Sequence, residues 1–155
     1  MPETSAGIVM YRHRDAEIEV LLAHPGGPFW RHRDAGAWTI PKGQVEPGEA
    51  PEAAARREFT EEMGAPATEP VRPLGRIRQR SGKWVEAFAM EGDFDTRELH
   101  SNLFELEWPP RSGQMQQFPE VDRAQWFDLA EAKRRLLPAQ APLLDRLATM
   151  LRDGG

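Results

Sequence analysis

The chain has 155 residues, 39% of them apolar and 29% charged, which is an ordinary globular composition and the size of one domain. It has no cysteine, which excludes disulfides, thiolate zinc sites and cysteine nucleophiles and makes a reducing cytoplasm the expected location. A net charge of −5 disfavours a broad DNA or RNA surface, and no apolar run approaches the roughly 18 residues that span a bilayer. We therefore expect one domain over residues 1–155.

The first half of the chain predicts strands followed by a helix. Residues 5–13 and 17–24 are predicted strands, and the second alternates apolar and acidic residues with the period of a half-buried strand. A short strand at 38–40 leads to a turn rich in glycine and proline at 41–49. The clearest helix covers 50–63, because a proline suits its first turn and a glycine directly after it can form a left-handed cap.

The second half of the chain predicts further strands and two more helices. A capping signal precedes the first of these helices, and the second carries an apolar stripe at helical spacing that we interpret as core packing. Strands mixed with three helices indicate an α/β protein in which helices cover a sheet. The predicted elements are strands at 71–81, 83–91 and 102–108, a polar loop from Pro109 to Pro119, a last short strand ending at Trp126 and Phe127, a helix at 129–137, and a last helix whose apolar stripe is Leu143, Leu144, Leu147, Met150 and Leu151.

Three glutamates share one face of the helix predicted at 50–63. Glu58, Glu61 and Glu62 stand at positions i, i+3 and i+4, where like charges destabilise an isolated helix by about 0.2–0.5 kcal/mol per pair. Bound Mg²⁺ or Mn²⁺ would reverse this effect, because hard cations accept carboxylate oxygens. The alternative is a solvated acidic face. Phe59 and Met63 give the helix a buried flank beside these carboxylates, which favours a site.

The same segment resembles the signature of the Nudix hydrolases. That signature is Gly, five residues, Glu, seven residues, Arg-Glu, an apolar residue, any residue, Glu-Glu, any residue, Gly and an apolar residue. Two departures are minor: the first apolar position is aromatic and the last is Ala65. The resemblance implies an α/β/α sandwich around a mixed β-sheet and cleavage of a nucleoside diphosphate linked to a further group. The matching residues are Gly43, Glu49, Arg57, Glu58, Phe59, Glu61, Glu62 and Gly64.

The resemblance also implies a metal site in this segment. It places Mg²⁺ or Mn²⁺ ligands at Glu58 and Glu62, with Glu61 assisting directly or through water and Gly43 offering its backbone carbonyl. Divalent ions on one carboxylate face can neutralise a pyrophosphate, position the attacking water and stabilise the leaving oxygen.

Other residues are given supporting catalytic roles. We expect Arg57 to orient a glutamate, above all Glu49, rather than to bind substrate; the alternative is an ordinary surface arginine. Glu49 itself is either such a supporting carboxylate or an anion favoured by the helix N-terminus. In the family the general base is often a glutamate in a later loop, so Glu120 is the first candidate, with Glu105 and Glu107 as rivals.

Several cations are predicted to bind substrate. Lys42 lies where it can meet a phosphate, and its Pro-Lys-Gly context resembles the branches that act on dinucleoside polyphosphates or diphosphoinositol phosphates. Arg76, Arg78 and Arg80 alternate along a predicted strand, with Lys83 at the turn, which predicts a positive stripe for a phosphate chain. The alternative is an edge strand protected by charge.

Aromatic residues supply candidates for stacking on a base, although most tryptophans are core residues. The candidates are Phe29, Trp30, Trp38 and Trp84, and the four histidines receive no role.

Several functions remain open at the level of the sequence. The leading one is a metal-dependent pyrophosphohydrolase of nucleoside or dinucleoside polyphosphates. The alternatives are a house-cleaning hydrolase of oxidised or noncanonical nucleoside triphosphates and a non-catalytic nucleotide-sensing module. We expect a small nucleotide as partner, with no DNA and no membrane. RNA is disfavoured, because nothing basic beyond the Arg76–Lys83 stripe supports an RNA track. A homodimer is left open.

Overall fold

A computed structural model describes residues 4–154, and these contain eight strands and three α-helices. Two short 3₁₀ turns lie at Thr96–Glu98 and Pro138–Gln140. The helices are α1 (Pro51–Met63), α2 (Leu129–Arg135) and α3 (Pro142–Gly154). The strands are β1 (Thr4–Arg14), β2 (Glu17–Pro25), β3 (Lys42–Gln44), β4 (Val71–Arg78), β5 (Trp84–Glu91), β6 (Leu103–Glu107), β7 (Met115–Pro119) and β8 (Val121–Asp128).

A mixed sheet forms the centre of the protein. Its strand order is β4-β5-β1-β2-β8, and the short strand β3 pairs with β1 beside that path. The pair β1–β5 is parallel and the other pairs are antiparallel. Strands β6 and β7 form a separate two-stranded sheet.

Helices cover the central sheet on both faces. Along β1, Ala6, Ile8 and Met10 join the core cluster that contains the buried face of α1. Val9 and Tyr11 alternate with them and join the cluster that contains α2 and α3. The protein is therefore an α/β/α sandwich around a mixed sheet, and the predicted fold class is confirmed.

Helix α1 begins and ends as its sequence predicts. Pro51 occupies its first position, and Gly64 follows its last residue with φ +82°, donating its N–H to the Thr60 carbonyl at 2.8 Å. The side of α1 that faces the sheet is buried, and the glutamates beside this buried side line a cavity. Its buried residues are Ala54, Ala55, Phe59 and Met63.

The prediction of a strand at 38–40 and a turn at 41–49 is wrong in detail. Residues 38–40 make only isolated bridges, from Thr39 to Ala23 and from Trp38 to Leu136, because their backbone groups bond to scattered partners. The ladder begins later, where β3 pairs with β1.

Two further predictions fail towards the C-terminus. Half of the predicted loop at 109–119 is β7, a strand of the exposed β6–β7 hairpin whose two glutamines resemble loop composition. The last strand is not short, since β8 has eight residues. Its exposed polar positions obscure it, although Val121 and Phe127 are buried and Ala124 and Trp126 pack against the core.

None of the helices within residues 4–154 is long and apolar enough to cross a membrane.

Candidate active site

Four glutamates line one cavity of about 350 Å³, which we call the carboxylate cavity. Three of them come from α1 and the fourth, Glu120, from the junction of β7 and β8. The cavity thus joins the glutamates predicted as metal ligands to the predicted general base. Its lining residues are Lys42, Gly43, Gln44, Glu58, Glu61, Glu62, Asn102 and Glu120.

Gly43 and Glu58 are in close contact across this cavity. Gly43 pairs with Ala6 in the β1–β3 ladder, which fixes its backbone beside α1. A Cβ atom at Gly43 would lie 2.0 Å from the Glu58 carboxylate, so only glycine lets this carboxylate rest against the β3 backbone.

Replacing this glycine should test the contact. In Gly43→Ala the new methyl group would displace the flexible end of Glu58 and leave the surrounding backbone in place. We expect a melting temperature close to that of the wild type and a loss of kcat/KM of about tenfold or more, equivalent to about 1.4 kcal/mol. The matched control is Gly92→Ala, because Gly92 lies outside the carboxylate cavity and its added Cβ would meet only the flexible end of Met10, at 3.3 Å. Wild-type activity in Gly43→Ala would contradict the proposed placement of Glu58.

Arg57 holds the carboxylates of three glutamates. Its Nε and Nη2 atoms lie 2.8 and 3.0 Å from the two oxygens of Glu49, a bidentate pair. Its Nη1 atom donates to Glu58 at 2.9 Å and to Glu61 at 3.2 Å. Nη2 also donates to the Gln44 carbonyl at 2.9 Å. The structure therefore places Arg57 in contact with the carboxylates of Glu49, Glu58 and Glu61.

This network also determines the charge of Glu49. Hydrogen bonds from Arg57, and then one from the Glu46 backbone N–H, lower the pKa of Glu49 to about 2. The hydrogen bonds of Glu49 are in turn the largest cause of the raised pKa of Arg57. Both groups stay ionised at neutral pH.

Two of the glutamates that face the cavity, Glu58 and Glu62, have raised pKa values, in contrast to Glu49, because they are buried. Burial raises the pKa of Glu58, and it raises the pKa of Glu62 to about 8 although the charge of Lys42 opposes the shift. Glu62 also accepts the backbone N–H of Lys42 at 3.2 Å. Burial lowers the pKa of Lys42 as well, opposed by the charge of Glu62. Carboxylates in this environment gain stability from an additional cation.

The donors in the cavity suit a hard divalent cation. Carboxylate and backbone oxygens are the ligands that Mg²⁺ and Mn²⁺ prefer. In the described residues 4–154, no three acidic or histidine side chains are arranged to hold a metal ion as they stand. Arg57 engages Glu58 and Glu61, and the Lys42 N–H engages Glu62, so ligation requires these side chains to turn into the cavity.

The raised pKa of Glu62 predicts how stability without metal varies with pH. The folded state holds the Glu62 proton more tightly than the unfolded state, so between about pH 4.5 and 8 the free energy of unfolding falls as pH rises. Glu62→Gln should remove this contribution. We expect the melting temperature in EDTA to decline less from pH 5 to pH 8 in Glu62→Gln than in the wild type. Parallel declines would contradict the shift.

Main-chain hydrogen bonds fix Glu120 near α1. The Asn102 N–H donates to the Glu61 carbonyl at 2.9 Å, and the Glu120 N–H donates to the Asn102 carbonyl at 2.8 Å. The rival glutamates Glu105 and Glu107 belong to β6 and are not among the residues that line the carboxylate cavity. Sequence reasoning missed Asn102, whose place here depends on contacts between distant segments.

The predicted cationic stripe is only partly correct. Strand β4 ends at Arg78, and a hydrogen bond of 2.8 Å from the Gln79 N–H to the Lys83 carbonyl begins a turn. Arg80 therefore lies in the turn and not on the strand face. Arg76 pairs with Glu86 on β5 at 3.0 Å, so its charge is compensated.

Arg78 and Arg80 line a separate cavity of about 670 Å³, which we call the arginine cavity. Trp30 lies in its wall together with a third arginine, Arg33, that sequence reasoning did not single out.

A third cavity has a volume of about 330 Å³. We call it the aromatic cavity, because Phe29, Trp30 and Phe104 line it with Leu106. It shares Glu120 with the carboxylate cavity and Trp30 with the arginine cavity. Of the predicted stacking candidates, Phe29 and Trp30 are thus placed beside the site.

The other two aromatic candidates are occupied by contacts within the protein. Trp38 is only 1% exposed and packs in the core against Phe127, so it cannot stack on a ligand. The Arg78 guanidinium lies over Trp84, 5.5 Å from the centre of the Trp84 ring.

A buried histidine that sequence reasoning left without a role anchors the loop that carries Trp30. The ring nitrogens of His24 lie 2.8 Å from an Asp122 carboxylate oxygen and 2.6 Å from the Arg33 carbonyl oxygen. The signal was present in the sequence: His24 continues the inward-facing alternation of Val20 and Leu22 along β2.

Comparisons with known proteins identify the family of this chain. The NUDIX domain family model matches residues 1–147. An RNA pyrophosphohydrolase of Caulobacter vibrioides is 44% identical over 63 residues, which are 37% of this chain and 36% of that protein. An octanoyltransferase of Myxococcus xanthus is 29% identical over 135 residues, which are 87% of this chain and 33% of that protein. The chain thus spans about a third of the length of these relatives.

Solved structures show the same fold. An Ap4A hydrolase from C. elegans, in a binary complex, aligns with a TM-score of 0.66 over 97% of this chain and 98% of that chain. The two sequences are 24% identical, so this likeness concerns the fold.

Proposed function

The chain belongs to the NUDIX domain family, and on that premise we propose that it is a divalent-metal-dependent pyrophosphohydrolase of dinucleoside polyphosphates. The observation that carries the proposal is the carboxylate cavity, in which Glu58 rests against Gly43 while Glu61, Glu62 and Glu120 face the same space.

Each residue of the cavity has a chemical task in this reaction. When bound, Mg²⁺ or Mn²⁺ neutralises phosphate charge and stabilises the leaving oxygen. Glu58 and Glu62 would hold it with help from Glu61 and the Gly43 carbonyl. Glu120, which lines the same cavity from the junction of β7 and β8, accepts the proton of the attacking water. Lys42, the first residue of β3, supplies a positive charge that attracts the phosphates.

Arg57 and Glu49 act as positioning residues. Their bidentate pair ties the loop before α1 to the helix, and the third nitrogen of Arg57 limits the rotamers of Glu58 and Glu61. This arrangement holds the carboxylates at the wall of the cavity, from which they would turn inward when a cation enters.

A second candidate is removal of pyrophosphate from RNA 5′ ends. The 63-residue segment shared with an RNA pyrophosphohydrolase supports it. The net charge of −5 favours a small nucleotide instead.

A substrate panel tests both candidates. Purified protein is incubated with Mg²⁺ or Mn²⁺ and diadenosine tetraphosphate, ATP, ADP-ribose or 5′-triphosphorylated RNA, and the products are separated by chromatography. We expect diadenosine tetraphosphate to be cleaved fastest. Faster cleavage of RNA would favour the second candidate, and folded protein that cleaves none of these compounds would overturn the proposed function.

A further inference from the structure

The arginine cavity is large enough for a nucleotide and is distinct from the metal-binding residues. Its volume of about 670 Å³ lies in the range of small-molecule sites. The turn between β4 and β5, the loop before β3 and the 3₁₀ turn before α3 contribute its walls. The lining residues are Trp30, Arg33, Gly36, Arg78, Gln79, Arg80, Ser81, Leu137, Pro138 and Ala139.

The cavity has an uncompensated positive charge. Arg33, Arg78 and Arg80 line it and no acidic residue does. Across the described residues, none of these three arginines forms a salt bridge, whereas the nearby Arg76 is paired with Glu86. In a protein with net charge −5, a cluster of this kind favours an anionic ligand.

The remaining walls suit a planar ring. Trp30 lines the cavity together with Leu137, Pro138 and Ala139, and the Arg33 guanidinium lies 5.7 Å from the Trp30 ring centre. Aromatic and guanidinium planes are the surfaces on which nucleobases stack. Anionic and ring-binding groups together fit a nucleotide better than an isolated phosphate.

Shared wall residues link this cavity with the carboxylate cavity. Trp30 is shared with the aromatic cavity, which in turn shares Glu120 with the carboxylate cavity. A ligand that crosses the aromatic cavity would therefore reach both of the other cavities.

We propose that the arginine cavity binds the second nucleotide of a dinucleoside polyphosphate while the scissile phosphates occupy the carboxylate cavity. This inference rests on the proposed function and adds a distal subsite to it. A substrate with a nucleoside at each end would fill both cavities, and a mononucleotide would fill only one.

The test compares substrates with the same number of phosphates. Wild-type kcat/KM is measured for diadenosine tetraphosphate and for adenosine tetraphosphate, which lacks the second nucleoside. We expect at least about tenfold preference for the dinucleotide, since charge-assisted and stacking contacts each contribute on this scale. In the double variant Arg33→Gln/Arg80→Gln the preference should fall to within about twofold of unity. Arg31→Gln, an exposed arginine of the same loop, is the matched control and should retain the preference.

A second variant changes another part of the cavity wall, the 3₁₀ turn before α3. Ala139→Trp should fill the space for the ring and should lower the preference in the same direction, with melting temperatures confirming that both variants fold. A preference retained in both folded variants, or absent from an active wild type, would overturn the distal subsite and leave the proposed hydrolysis standing. A wild type that cleaves neither compound would instead overturn the proposed function. An effect of the double variant on triphosphorylated RNA but not on the dinucleotide would also overturn the assignment.

Discussion

Glu58→Gln and Glu62→Gln should each lower kcat/KM by at least about 100-fold while preserving the fold. Both carboxylates line the carboxylate cavity, and amide oxygens are weaker ligands for a hard cation than carboxylate oxygens. The measurement is steady-state hydrolysis of diadenosine tetraphosphate at saturating Mg²⁺ or Mn²⁺, with the melting temperature recorded for each variant.

A matched control distinguishes ligation from a general effect of charge. Glu52→Gln makes the same chemical change on the same helix, but Glu52 is exposed and pairs with Arg56 away from the cavity. It should keep wild-type activity. Full activity in Glu58→Gln or Glu62→Gln at ordinary metal concentration would refute the metal assignment.

Thermal stability provides an independent test of the assignment of Glu58 and Glu62 as metal ligands. Burial raises the pKa of both Glu58 and Glu62, so each is costly to hold as an anion in the absence of metal. Without metal, the glutamine variants should therefore be no less stable than the wild type. Added Mn²⁺ should raise the melting temperature of the wild type more than that of either variant, since a ligand that binds only the folded state stabilises it.

The sequence predicted best those features whose determinants are local. Helix α1 has its proline, its glycine cap and its buried flank within 15 residues, and the structure contains all three. The contact of Arg57 with Glu49 joins residues only eight positions apart. The spacing of charged residues along one helix and its preceding loop was sufficient to predict it.

Features that depend on distant segments were not predictable in this way. Strand β3 has three residues and exists because β1 lies beside it. Trp30 lies on a loop that His24 anchors. His24 in turn contacts Asp122, which is almost 100 residues away along the chain. The aromatic and arginine cavities arise only when these segments meet, so no single motif in the chain encodes them.

The arginine stripe shows where a periodic pattern misleads. Alternation of Arg76, Arg78 and Arg80 is correct as a pattern, but the strand ends at Arg78 because the Gln79–Lys83 hydrogen bond begins the turn. Cross-strand pairing with Glu86 then compensates Arg76. The charges that remain uncompensated are those of Arg78 and Arg80, and Arg33 joins them from another loop.

Glu120→Gln should lower kcat by about 10²- to 10⁴-fold with little change in KM, because a general base acts on the attacking water and does not hold the substrate. The position of its backbone depends on main-chain bonds through Asn102 to Glu61, which the substitution leaves intact. Glu107→Gln is the matched control: Glu107 is an exposed glutamate of the adjoining hairpin that accepts the Arg111 N–H and does not line the carboxylate cavity. It should retain wild-type kcat. An unchanged kcat in Glu120→Gln would transfer the role of base to a glutamate of α1, because the hairpin glutamates lie outside the cavity in which the water must be activated.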